Sequence, residues 1–186
     1  MENKALTAAL ARAGFDDRYY ALCERYPAGS KRCGVSATKD DVAAALRTAG
    51  ARYTYDPRDR SFRIDPRHVN GLAWHGLFVK QQGGALDLIL HGEAPDAPSY
   101  TAGGSFALLA EQVARARGGA AGGSARYPRP CYNNDPELLR AIACDFVRLY
   151  RECLEAIAAS EGSFALVEPD CLPAFCAAPF SWAALR

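Results

Sequence analysis

The chain is poor in the residues that announce chemistry. It has 3 histidines in 186 residues, His68, His75 and His91, with no His-x-x-x-His or His-x-His spacing among them. There is no Gly-x-Ser-x-Gly nucleophile elbow, no Gly-x-Gly-x-x-Gly fingerprint and no Walker lysine. These gaps remove the recognisable signatures of serine hydrolases, dinucleotide-binding folds and P-loop enzymes. Charge imbalance is missing too: 22 basic and 21 acidic residues leave a net charge of +1. A near-neutral chain lacks the electrostatic footprint of a nucleic-acid binder. The densest basic stretch, Arg52 to His68, is interleaved with Asp56, Asp59 and Asp65, so its field cancels over about a Debye length. No window approaches the apolar length of a membrane span, and Met1 to Phe15 reads as an amphipathic helix rather than an apolar leader.

Cysteine is present but unpatterned. Its count is 7, an odd number. Cys171 and Cys176, or Cys23 and Cys33, have no second pair at zinc-site spacing. The expectation is a cytoplasmic protein with reduced thiols, no metal and no cofactor, in which buried cysteines act as small hydrophobes.

The composition is 49% hydrophobic and 23% charged, which is that of a globular domain with a substantial core. The first fifty residues read as three helices. One runs from Asn3 to Ala13. A second is capped near Asp16 or Asp17 and ends before Pro27. A third opens at Thr38 with a capping-box partner at Asp41. The period then drops to two. Arg52–Asp56 and Ser61–Asp65 alternate on either side of the Asp56-Pro57-Arg58-Asp59 turn signal. Leu72 to Gly92 follows as a stronger hairpin. Glu93 to Tyr100 reads as a proline-containing loop, and Gly103-Gly104-Ser105 as the opening of a helix running to about Arg117. Residues 118–130 form a Gly/Pro-rich flexible loop. Asp135-Pro136-Glu137 then starts the longest helix. Phe164–Val167 is a candidate short strand. The apolar, proline-containing tail 168–186, with Phe175, Phe180 and Trp182, is expected to pack on the domain or on a second subunit, so a homo-oligomer stays open. The sum is a single α+β domain: a central antiparallel four-stranded meander, N-terminal helices and a long helix in the C-terminal half.

The strong hairpin carries the functional expectation. Gly83-Gly84 reads as a two-residue loop with positive φ at both positions. Counting outward pairs Gln82 with Ala85, Lys80 with Asp87 and Phe78 with Ile89. Leu77, Val79, Leu86, Leu88 and Leu90 then form one face. Trp74, Phe78, Ile89 and His91 form the other, with Gly76 opening a notch beside His91. Five helices suffice to cover that second face, which would make Trp74 and Phe78 core. Left open, it has the aromatic anchors of a protein-binding hot spot, with Lys80 and Asp87 in its polar rim. The expected function is therefore non-enzymatic binding of a protein partner. An immunity or antidote-type protein that occludes its partner fits this class. The expected binding residues are Trp74, Phe78, Ile89, His91 and His75. The competing expectation is a small enzyme or ligand-binding protein with a site near the sheet histidines, built from His75, His91, Tyr53, Tyr55 and the Gly103-Gly104-Ser105 turn. A phosphate held by that turn is disfavoured, because a serine at a helix start ordinarily caps it.

Overall fold

The change of period near residue 50 marks the passage from helices to sheet. A computed structural model describes residues 3–29, 36–94, 97–119 and 127–160. Helices α1 (Lys4–Arg12), α2 (Phe15–Arg25) and α3 (Lys39–Thr48) come first. Strands β1 (Tyr53–Asp56), β2 (Ser61–Ile64), β3 (Arg67–Val69), β4 (Leu72–Lys80), β5 (Leu86–Ala94) and β6 (Ala97–Ser105) follow. Helices α4 (Phe106–Ala116) and α5 (Pro136–Ala158) close the described chain. The fold is α+β, with the strands in one antiparallel sheet of order β1-β2-β4-β5-β6. The short β3 lies in tandem with β2 along the same edge of β4. The sheet thus has six strands where the alternation predicts four. The two additions are β3, within residues 66–70, which from sequence is only a connection between the two hairpins, and β6, which begins in the proline-containing segment after Glu93.

The helix starts follow their caps except at α2, which opens at Gly14 with no side-chain cap; Asp16 and Asp17, the expected caps, lie inside its first turn, where they favour the helix dipole. Thr38 and Asp41 form the expected capping box, with Thr38 N–H donating to Asp41 Oδ2 at 2.8 Å and Asp41 N–H to Thr38 Oγ1 at 3.2 Å. Asp135 Oδ1 accepts from Glu137 N–H at 2.8 Å, with Pro136 at the first helical position. Ser105 caps α4 by accepting from Leu108 N–H at 3.2 Å. This hydroxyl is a structural cap, as its position after a double glycine suggests.

The hairpin register departs from the sequence reading by one residue. Lys80 pairs with Leu86, Phe78 with Leu88, Leu77 with Ile89, His75 with His91 and Trp74 with Gly92. The loop holds three residues, Gln82, Gly83 and Gly84, because Gln81 N–H donates to the Ala85 carbonyl at 2.9 Å and closes the turn one step further out. Both glycines do have positive φ, 85° and 79°. The turn chemistry is as expected, but the loop length is not, and loop length sets register. The reason lies in burial. This register puts Trp74, Phe78, Leu86, Leu88 and Leu90 on one face, all at 0% exposure. The alternative divides them between two faces.

That face is the core. Phe146 of α5 meets Phe78 edge-on at 5.9 Å and Phe106 at 5.9 Å, and Phe106 meets Phe15 at 5.0 Å. The Tyr150 hydroxyl donates to the Trp74 carbonyl at 3.1 Å. Trp74 spreads over Gly92, where a Cβ would stand 2.8 Å from its Cε3. Gly76 also belongs to this face, opposite Leu90, and a Cβ there would meet Leu88, Ile64 and Tyr150. It opens no notch beside His91.

Part of the expected flexible loop is held down. Residues 120–126 lie outside the described chain. Residues 127–132 run along the edge of β5 beyond the end of β6. Leu86 N–H donates to the Pro130 carbonyl at 2.9 Å, and Arg129 Nε to the buried Asp87 Oδ2 at 2.8 Å. Lys80 and Asp87 form no pair. Lys80 Nζ donates instead to Ser36 Oγ and the Ala37 carbonyl. The expected strand at 164–167 and the tail 168–186 lie outside the described residues. Among those described, no helix is long and apolar enough to cross a membrane, and Cys23, Cys131, Cys144 and Cys153 are free thiols.

Gly103 has a role that neither a helix start nor an anion loop accounts for. It sits in β6 opposite His91 with φ of 120°, and a Cβ there would lie 2.0 Å from the Leu90 carbonyl oxygen. A side chain would force β6 off β5. Gly103→Ala is expected to destabilise the fold by about 3 kcal/mol, through both strained backbone and clash. The midpoint of urea unfolding measures this, and a loss under about 1 kcal/mol would mean the two strands separate at little cost.

Candidate functional site

The face of the sheet opposite the core gathers a cluster that no single sequence segment contains. His75 on β4 and His91 on β5 are directly opposed cross-strand partners, their ring centroids 4.7 Å apart. Glu93 lies two residues beyond His91 and so points to the same face. Arg63 reaches in from β2, where it pairs with Leu77, the residue two along β4 from His75. The side chains converge. His91 Nε2 is 3.0 Å from Glu93 Oε1, and His75 Nε2 is 3.8 Å from the same oxygen. Arg63 Nη2 lies 3.2 Å from His75 Nδ1 and 3.3 Å from Glu93 Oε2.

The electrostatics follow from where each group sits. His75 is 2% exposed although it faces away from the helices, because neighbouring strands and the His91 and Arg63 side chains enclose it. Burial, and then the adjacent His91 and Arg63, push its pKa down to about 3. His91 is shifted down as well, chiefly by burial. Glu93 pulls the other way and Arg63 adds to the lowering. Both imidazoles are therefore neutral near pH 7, and the contacts with Glu93 are polar contacts of neutral rings rather than ion pairs. The tautomer follows from the donor inventory. A guanidinium can only donate, so His75 Nδ1 accepts and its proton is on Nε2.

Neutral imidazoles and one carboxylate are what a transition-metal ion requires of its ligands. One donor atom from each of His75, His91 and Glu93 fits within a mutual separation of 4.8 Å. An ion bound at about 2.1 Å spaces its ligands about 3–3.5 Å apart, so the cluster needs only side-chain adjustment to close on one. All three residues stand on interior strands, which hold their Cα positions. The His91 and Glu93 side chains are about 29% and 28% exposed, which leaves a path to solvent.

The expected binding residues divide between the two faces. Ile89, His91 and His75 lie on the open face, and the two histidines come together. Trp74 and Phe78 lie in the core, covered by the protein's own helices, and cannot touch a partner while the fold is intact. Tyr53 and Tyr55 also face the core side, against Phe62 at 5.3 and 4.9 Å, far from the histidines. His68 is exposed on β3 and lies outside the cluster. Two participants escaped the sequence reading. From sequence, Glu93 opens a proline-containing loop, and Arg63 belongs to the interleaved charges of a solvated hairpin surface. The signal that locates them is the register itself. With a three-residue loop, counting outward brings His75 opposite His91; with two, His75 faces Gly92. Compared with known proteins, the chain matches no protein-family model, no curated protein and no solved structure, so its site is identified by its own geometry alone.

Proposed function

We propose that the protein is metal-dependent: it holds one divalent transition-metal ion on His75, His91 and Glu93 and offers the ion's remaining coordination positions to a small molecule from solvent. The observation that carries this reading is the convergence of two neutral imidazoles and a carboxylate on one rigid, solvent-reached sheet face. Three protein ligands with an open position are the arrangement of catalytic rather than structural sites. An ion held this way polarises a bound carbonyl or phosphoryl oxygen, or lowers the pKa of its own water. The mixed nitrogen and oxygen donors suit zinc, iron, cobalt or nickel over magnesium or calcium. Metal-assisted hydrolysis of a small substrate is the reaction class this supports.

The test is cobalt(II) titration of chelator-treated protein, followed by visible absorption. One equivalent is expected to bind with ligand-field bands of nitrogen and oxygen coordination. His91→Ala and Glu93→Gln are both expected to weaken binding about 100-fold, as loss of a direct ligand should. Circular dichroism should be unchanged, because both side chains are partly exposed. Absence of a stoichiometric spectrum would overturn the proposal. So would intense thiolate bands, which would place the ion on cysteines instead.

A further inference from the structure

We infer that the small molecule taken beside the metal is an anion of the carboxylate or phosphate class, and that Arg63 is the residue that selects it. This rests on the metal-dependent reading and adds the ligand's chemistry to it. Without a metal, Arg63 Nη2 is satisfied by His75 Nδ1 and by Glu93 at 3.3 and 3.5 Å. It neutralises Glu93 in the place a metal cation would take. Metal binding changes both contacts. An imidazole that ligates through one nitrogen carries its proton on the other. If His75 ligates through Nε2, its Nδ1–H confronts a guanidinium that has only donors. If it ligates through Nδ1, the acceptor is consumed by the ion. Glu93 likewise gives an oxygen to the metal. On either route Arg63 loses its His75 acceptor and shares Glu93 with a stronger cation.

The displaced guanidinium stays close by. Its strand is fixed by pairing to β4, and its side chain is 45% exposed, so the guanidinium has solvent to turn into. The charge count then rises from zero, where Arg63 and Glu93 cancel. A divalent ion, one carboxylate and two neutral imidazoles carry a net +1, and Arg63 makes +2. An anion with two oxygens can bridge this pair, placing one oxygen on the ion and the other on the planar donor fork. Below it, Leu77 and Ile89 are half-buried cross-strand partners on the same face. Leu77 is also the partner of Arg63. They give an apolar footing to whatever organic body the anionic group carries.

The experiment titrates the cobalt-loaded protein, in chloride-free buffer, with acetate, butyrate, inorganic phosphate and the neutral analogue acetamide, reading the visible spectrum. The three anions are expected to perturb the bands, with butyrate tighter than acetate, and acetamide to do so only at far higher concentration. Arg63→Ala is expected to weaken anion binding about tenfold to a hundredfold, as loss of a charged hydrogen-bond donor should, while cobalt affinity is held or raised. Arg63→Lys should fall between, since it restores charge without the fork. Equal anion affinity in wild type and Arg63→Ala, or equal response to acetamide, overturns this inference and leaves the metal site standing. Failure of cobalt to bind overturns both.

Discussion

Replacing Trp74 by alanine is expected to lower the thermal midpoint by about 10 °C or more, whereas replacing Leu77 should lower it by no more than a few degrees. Trp74 is fully buried, lies flat over Gly92 and shares its face with Phe78, Leu86, Leu88 and Leu90. Removing an indole from such a site leaves a cavity that the surrounding β-sheet can only partly fill, and the usual penalty is about 3–5 kcal/mol. Leu77 is on the open face, half-buried beside Ile89, and its truncation should cost about 1 kcal/mol. The contrast separates the two hairpin registers. With a two-residue loop the ranking reverses, because Leu77 becomes core and Trp74 a surface anchor. Calorimetry on the two variants decides between them, and a Trp74→Ala protein as stable as wild type would refute the three-residue loop.

Arg129→Ala is expected to destabilise the protein by about 3 kcal/mol at neutral pH, and by less in acid. The carboxylate of Asp87 is only 3% exposed, and its Arg129 contact at 2.8 Å is its strongest compensation. Burial raises the Asp87 pKa above 3.8, while the Arg129 hydrogen bond and charge hold it down. Without the arginine the folded carboxyl binds its proton still more tightly than the unfolded chain does. Its contribution is therefore least unfavourable below the unfolded pKa. It worsens as pH rises through the raised folded value, since the unfolded state then releases the proton first. The difference in unfolding free energy between variant and wild type should grow from pH 4 to pH 8, on the order of 1–3 kcal/mol. Adding Asp87→Asn to Arg129→Ala should recover part of the loss at pH 8, because it removes the stranded charge. Urea titrations at the two pH values measure both effects. A deficit independent of pH would mean that Arg129 acts only by packing residues 127–132 against β5.

Local signals in the chain were the reliable ones. Thr38 with Asp41, Asp135 with Pro136 and Ser105 before Phe106 each mark a helix start, because a cap needs only partners within three residues. The alternation of Tyr53 and Tyr55, then of Phe62 and Ile64, marks β1 and β2 for the same reason. The strands that escaped, β3 and β6, lack an alternating apolar pattern. Residues 97–105 carry proline and two glycines, and the segment becomes a strand because β5 offers it an edge and Gly103 permits the approach.

The candidate site was legible only in fragments. Both histidines could be singled out, but their meeting turns on one residue of loop length between Gln81 and Ala85. That choice is made by the helices. Phe146 and Tyr150 cover the face on which Trp74, Phe78 and the three leucines lie together, and burying all five on one side outweighs the preference for a tighter two-residue turn. The amino-acid sequence by itself determined the fold class, most of the helix caps and the existence of the hairpin, since these depend on near neighbours and on period. Only the tertiary structure decided which face was buried. With it came the opposition of His75 to His91 and the approach of Glu93 and Arg63, because cross-strand proximity follows from register, and register here answers to the packing of a helix more than fifty residues away in sequence.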